Sequence, residues 1–439
     1  MPSTAKCDTK EKRREAVFVF CLMAAGYFYC SVQRVSATVV LPHMASAYGF
    51  SASLVGFLSS LFFYSYGFTQ NVWGAVNDRV GPMKSCAVGM AVAGVGSLIM
   101  LVSRDPWCIG LSRIVTGLGL GCMFTGIYLY AALAFPVEMY PYMVGWILVV
   151  GNLGTVAAVA PLGMLMDVVG YDGLYLSLAV WAFVVSGLLW ALKGRSPAAA
   201  APEQGEAGKA GGLGGLGGMV LATVRDIAHG FRLLIGYRPV VVVAFVWVMV
   251  SASMQTLGGL WGVTWISVSS GAELADARFW ATFINVGLVV GSPLGARVTY
   301  LSKGGRGGVA WLMGALCAAW CAYLYGAWVN LSAPAMGGLG FLVGVLTGAG
   351  MVYCSSTLKS LVHLSHAGLI IGTGNTFIYM AVIVCQWGSG AIIDRFPSAL
   401  AGTYLNEGYI LAFAAITLVL ALSFLSIFTV KSFKAKDEA

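Results

Sequence analysis

Twelve apolar runs, each long enough to cross a bilayer, decide what this chain can fold into. They fall at 16–46, 51–76, 84–103, 107–133, 141–167, 173–193, 239–268, 278–300, 308–330, 335–358, 368–394 and 405–430. A helix needs about 20 apolar residues to span the hydrocarbon core. In lipid only helices and closed barrels satisfy their own backbone groups, and these runs are too long and too uniformly apolar for barrel strands. Composition agrees. Hydrophobic residues make up 59% of the 439 and charged residues 10%, against about 25% charged in a typical soluble domain. The expected fold class is therefore an all-α membrane protein of twelve transmembrane helices. A cytosolic enzyme, a disordered chain and a secreted disulfide scaffold are excluded. A nucleic-acid partner is not expected, because the net charge of +8 is not gathered on a soluble face.

One stretch breaks the apolar pattern. Residues 196–237 begin with Ser196-Pro197, pass through a glycine run at 211–218, and carry Lys209, Arg225 and Arg232. Such a composition suits a flexible, basic linker. It divides the chain into an expected first six-helix bundle at 1–195 and a second at 238–439. With both termini placed inside, twenty Lys and Arg lie on the cytoplasmic side and three in outer loops: Arg104, Arg278 and Arg395. That bias follows the positive-inside rule, and it predicts a multi-pass protein of a plasma or bacterial inner membrane with cytoplasmic termini. Lys10, Lys12, Arg13 and Arg14 precede an apolar run too long for a cleavable signal. The halves also echo each other. Gly145, Gly151 and Asn152 recur 223 positions later as Gly368, Gly374 and Asn375, and Gly163-x-x-x-Asp167 recurs as Gly390-x-x-x-Asp394. Corresponding helices of two repeats flanking a central site are the architecture of a transporter.

Candidate chemistry is sparse. The ten cysteines are scattered and form no Cys-x-x-Cys, so they read as small apolar packing residues. His363 and His366 have no third ligand in the pattern, so no metal and no cofactor are expected. No nucleophile–base constellation appears, so no enzyme is expected. All seventeen acidic residues lie in tails, loops or helix ends, so no mid-span carboxylate relay is visible.

Two motifs stand out. After the second run comes Gly74-Ala75-Val76-Asn77-Asp78-Arg79-Val80-Gly81-Pro82-Met83-Lys84. Gly74 would allow close helix contact and Gly81 a tight turn. The fourth run carries Arg113-Ile114-Val115-Thr116-Gly117. An arginine inside a span needs a partner or a watery cavity. Both stretches resemble signatures of the major facilitator superfamily, a likeness that covers the whole chain. The resemblance implies two pseudo-symmetric six-helix bundles that rock around a midplane site. It also implies a conformational role for Gly74, Asp78, Arg79, Gly81 and Arg113, which Asp167 and Asp394 at helix ends are expected to share. Pro82 and Met83 replace basic residues of the family loop, which implies a weaker latch.

Arg34 is the most informative residue. Tyr27, Ser31, Arg34 and Thr38 share one face of the first helix, and a polar stripe around a buried cation belongs at a cavity. This region, with Tyr66 and Gln70 in the second run, resembles the organophosphate and anion carriers of the superfamily. Gln255 and Gly151 stand where those carriers have a second substrate arginine and a histidine, so a monoanion fits better than a phosphate ester. Tyr128, Asn152, Gln255, Trp261, Asn375 and Tyr379 complete the expected binding face. The expected function is secondary active transport of a small organic anion, a carboxylate or sulfonate, by alternating access. An amino acid or drug-like solute is the alternative within transport, and a non-transporting nutrient sensor the alternative of another class. A coupling proton or a counter-anion is left open. The lipid bilayer is the remaining partner, and a monomer is expected. Deleting about ten residues within 200–218 should leave solute affinity nearly unchanged, since closure cost varies slowly with loop length. Binding to the purified deletion protein measures this.

Overall fold

The computed structural model describes residues 10–136, 138–193, 225, 230–232, 234–302, 305–362, 364–399, 402–431 and 433. The expected linker at 196–237 lies largely outside them. Fourteen α-helices make twelve crossings among the described residues: the first, fifth and seventh crossings are each divided by a break, and one long helix continues from the fifth into the sixth. Helices α1 (Lys10–Val35) and α2 (Ala37–Tyr48) form the first crossing, α3 (Ala52–Val80) the second, α4 (Pro82–Ile99) the third and α5 (Pro106–Ala134) the fourth. Helix α6 (Tyr140–Ala157) and the start of α7 (Ala160–Leu192) form the fifth. Gly170, at φ 73° and ψ 177°, turns the chain inside α7 into the sixth. Helix α8 (Arg238–Thr256), a π-turn (Leu257–Trp261) and α9 (Gly262–Ser270) make the seventh. The rest are α10 (Leu274–Ser302), α11 (Arg306–Trp328), α12 (Ala333–Ser360), α13 (Leu364–Ile393) and α14 (Asn406–Ser426). Ten of these stretches are long and apolar enough to cross a membrane, and Tyr142–Ala157 is a shorter apolar helix. Among the described residues the sole β feature is one bridge between Pro397 and Tyr404.

Contacts gather the chain into two compact units. One comprises Met1–Gln33, Tyr64–Thr155 and Leu165–Val224; the other comprises Arg34–Phe63, Val156–Met164 and Arg225–Ala439. The second unit thus takes in α2, the first turns of α3 and the α6–α7 corner along with the C-terminal helices. Arg278, expected in an outer loop, lies within α10 and is buried. The apolar run simply begins later than the helix, because Leu274–Arg278 carries the charges of its first turn.

Small residues bring helices together in both units. In the first, a Cβ on Gly89 would overlap the Gly119 carbonyl of α5, and one on Gly96 would overlap Thr116. In the second, α10 and α12 meet along a seam of glycines four apart. Cβ atoms on Gly287, Gly291 and Gly295 would overlap the carbonyl oxygens of Phe341, Val345 and Ala349. Gly344 and Gly348 press in the same way on Ile284 and Leu288. Between lipid-embedded helices the hydrophobic effect gives no net drive, so close van der Waals packing of small residues carries the association. Beside the seam Trp265 stacks on Phe413 with centroids 4.5 Å apart, and Trp320 stacks on the same ring at 5.7 Å. Gly291→Val should be among the most damaging substitutions in the chain. Overpacking costs about 1–3 kcal/mol even where side chains can move, and here only backbone is available to move. Thermal unfolding of the purified variant should show a melting temperature lower by several degrees, whereas Gly338→Ala, where a Cβ meets nothing within 4 Å, should leave it unchanged.

Candidate functional site

In the first unit α1, α3, α5 and α6 carry the candidate residues. Tyr27 is buried, with its ring against Gly151, where no Cβ would fit. Its ring lies 6.0 Å from Phe124, and Phe124 lies 4.8 Å from Tyr128. Ser31 packs at Gly154, where a Cβ would meet its own Cβ at 2.7 Å. Tyr128 and Asn152 keep partial exposure, whereas Ser31, Tyr66 and Gln70 are buried. Beside them lies a buried polar cluster. The Gln33 amide donates to the Tyr29 hydroxyl at 2.7 Å and to Ser97 at 2.9 Å, and the Tyr29 and Ser97 hydroxyls share a bond of 2.9 Å.

Arg113 closes that cluster. It is 5% exposed, and its Nη1 donates to the backbone carbonyl of Gln33 at 2.9 Å. This carbonyl sits where α1 tightens. Val39 and Val40 both donate to the Ser36 carbonyl, at 3.1 and 3.0 Å, so the regular ladder is disturbed just beyond Arg34. A carbonyl within a span has no water to turn to, and the buried guanidinium gives this one a donor. The partner expected for an intramembrane arginine is thus a backbone carbonyl one residue before Arg34.

In the second unit Arg34 is half-buried, as are Gln255, Asn375 and Tyr379. Thr38 and Trp261 are buried and bonded. Thr38 Oγ1 donates to the Leu260 carbonyl at 3.1 Å, and Trp261 Nε1 donates to Ser389 Oγ at 2.9 Å. The π-turn explains the first bond. A π-turn widens the helix by one residue and leaves carbonyls without their usual amides. Three side chains from three helices serve carbonyls at this turn: Thr38 at Leu260, Asn285 at Gly258 at 3.4 Å, and Gln386 at Gln255 at 3.1 Å. Tyr379 stacks on Phe63, 6.0 Å between centroids.

The loop signature ends α3. Gly81 has φ 92°, a value that favours glycine, as the turn required. No close contact forms at Gly74, where a Cβ would meet nothing within 4 Å. Asp78 and Arg79 are exposed. The buried member of the signature is Asn77. It donates to Thr125 Oγ1 at 2.8 Å, and its oxygen accepts a short bond from Ser85. A polar residue facing inward just ahead of an Asp-Arg pair is the signal that singles it out. Asp167 is exposed, and Asp394 lies just past α13, where it binds the start of α3.

These features define a polytopic helical membrane protein with helix breaks in its first and seventh crossings. Residues 22–384 match the Major Facilitator Superfamily, and the chain belongs to that family. A probable chloroplastic anion transporter 2 from Oryza sativa subsp. japonica is 28% identical over 186 residues, 39% of this chain and 34% of that one. A probable sulfoacetate transporter, SauU, from Cupriavidus necator is 30% identical over 106 residues, 24% of each chain. The chain therefore spans about a third or less of these relatives' length. Among solved structures, a mutant of the peptide transporter POT in complex with alafosfalin has a TM-score of 0.71 at 13% identity, covering 96% of this chain and 98% of its own. The fold is that of the family, twelve membrane helices in two pseudo-symmetric bundles of six.

Arg113→Leu should lower the melting temperature and, in the protein that remains folded, weaken solute binding through Arg34. A hydrogen bond to a charged group contributes about 1.5–3 kcal/mol. Arg113→Lys, which keeps a donor, should recover part of the loss in both measurements.

Proposed function

We propose that this major facilitator carrier moves a small organic monoanion, a carboxylate or sulfonate, with Arg34 as the group that holds its charge. The observation that carries this reading is the placement of Arg34. It is a half-buried guanidinium within a membrane span, beside a helix irregularity, with the preceding carbonyl fixed by a buried second arginine. A cation so placed in a span is costly unless it serves a ligand or a water-filled cavity. The guanidinium fork matches a carboxylate or sulfonate in two parallel bonds. The half-buried Gln255, Asn375 and Tyr379 offer neutral polar and aromatic groups in the same unit as Arg34. The absence of any Asp or Glu from the middle of a span disfavours a cationic solute. The names of the relatives, an anion transporter and a sulfoacetate transporter, point the same way.

In this reading the two repeats alternate access to the site, with the Asp78 and Arg79 loop controlling one end and the Asp394 corner the other. The charge bias of the loops puts both termini in the cytoplasm.

Arg34→Gln should weaken anion affinity at least about ten-fold, because charge-assisted bonds contribute about 1.5–3 kcal/mol. Arg34→Lys should fall between, keeping the charge without the fork. Binding is measured by thermal shift across a panel of carboxylates, sulfonates and their neutral amides. Equal losses for anion and amide in a folded Arg34→Gln protein would make Arg34 structural and remove the basis for an anionic solute.

A further inference from the structure

The first amides of α3 have an unusual division of labour. An α-helix begins with N–H groups that lack intrahelical partners. Here Val55 donates to the Ser51 carbonyl at 3.0 Å, and Leu54 donates to the Ser51 hydroxyl at 3.1 Å. Those two bonds are local. The remaining two amides go to a residue more than three hundred positions away. Ala52 N donates to Asp394 Oδ1 at 2.6 Å and Ser53 N to Asp394 Oδ2 at 2.9 Å. The Ser53 hydroxyl adds a short bond to the same Oδ2. Ala52 N also lies 2.7 Å from the Tyr404 hydroxyl. Burial and the adjacent Asp394 carboxylate push that phenol up to about 12, so Tyr404 stays a neutral partner. A carboxylate at a helix N-terminus is favoured both by its N–H bonds and by the macrodipole.

The surrounding contact is backbone against backbone. A Cβ on Gly390 would overlap the Ala52 carbonyl, one on Gly56 the Gln386 carbonyl, and one on Gly402 the Ala45 carbonyl. These are flat faces with few side chains to interdigitate, so they can part without repacking a core. Asp394 is half-buried rather than sealed, so water can replace its bonds when the faces part. The segment it holds, α2 and the start of α3, joins α1 at the irregular turn of Ser36, with Arg34 at its root. Such a cap in trans is more than a fold needs. Ser51 already sits at the N-cap and could be backed up by any local acid.

We infer that Asp394 is the pin of a releasable latch, in which a carboxylate of the second repeat caps α3 of the first at the membrane end opposite the chain termini. The latch is independent of which solute is carried. The echoed Gly163-x-x-x-Asp167 also sets its glycine in a close helix contact, here against a side chain rather than backbone. Gly163 packs on the Arg278 side chain in the second turn of α10, where a Cβ would come within 2.7 Å of Cδ.

The test is thiol accessibility in the full-length purified protein. Ser59 is fully buried on the same α3 face as Ala52, Gly56 and Phe63, so Ser59→Cys reports separation of this face. Thr347, fully buried in α12, gives Thr347→Cys as the control for general loosening. Labelling by a bulky polar maleimide is counted above the native cysteine background. Asp394→Asn, which keeps the side-chain volume, should raise the Ser59→Cys labelling rate about ten-fold, the change expected for one lost charge-assisted bond, and leave Thr347→Cys unchanged. Tyr404→Phe should give a smaller rise at Ser59→Cys only. An unchanged rate at Ser59→Cys in both Asp394→Asn and Asp394→Ala overturns the latch. So does an equal rise at both reporters, which would make Asp394 a general support of the fold.

Discussion

Every backbone amide and carbonyl in a membrane span must find a partner inside the protein, and this single demand organises the functional parts of the chain. Regular helix meets it without help. At several irregular points a side chain from another helix helps to meet it. Arg113 serves the Gln33 carbonyl, Thr38 the Leu260 carbonyl, Asn285 the Gly258 carbonyl and Gln386 the Gln255 carbonyl. At the start of α3 the polarity reverses, and a carboxylate serves two amides. The irregularities are also where the chain can change shape. Each one is a junction, where a side chain of one helix is tied to the backbone of another.

This explains why arginine plays two roles. Arg113 is only 5% exposed and gives a donor to a backbone carbonyl, so it belongs to the frame. Arg34 is half-buried on the far side of the same turn. The frame arginine fixes the carbonyl at position 33, and the peptide that follows carries the arginine proposed to meet the solute. Charge identity alone would not separate the two. Their exposure does.

The helices were legible in the sequence because lipid leaves no other way to bury runs of this length, and Gly81 because a tight turn with positive φ favours glycine. The candidate face on α1 was partly legible. Its spacing placed Tyr27, Ser31, Arg34 and Thr38 on one side, but spacing cannot say that Thr38 would be consumed by a carbonyl of the seventh crossing. That bond depends on the π-turn at Leu257–Trp261, and Gly258-Gly259 in an apolar run gives no sign of its register. Nor can any local pattern foresee a cap whose partners are 341 positions apart. The repeated Gly-x-x-x-Asp was visible as an echo, while its use at α3 emerges only once distant helices are folded against each other. Arg278 was misplaced to a loop for a related reason, since a charge at the edge of an apolar run looks the same whether the helix starts before it or after it.

The seam between α10 and α12 has a consequence for how the chain can vary. Contact there runs from carbonyl to Cα with almost nothing between, so the pair behaves mechanically as one double-width beam. Its cohesion comes from dispersion at short range rather than from displaced water, so cooling and detergent exchange take little from it. Such a beam carries no side-chain information along its inner edge. Change toward a new solute therefore has room on the outer edges of these two helices or on their neighbours, where a larger side chain does not force two backbones apart.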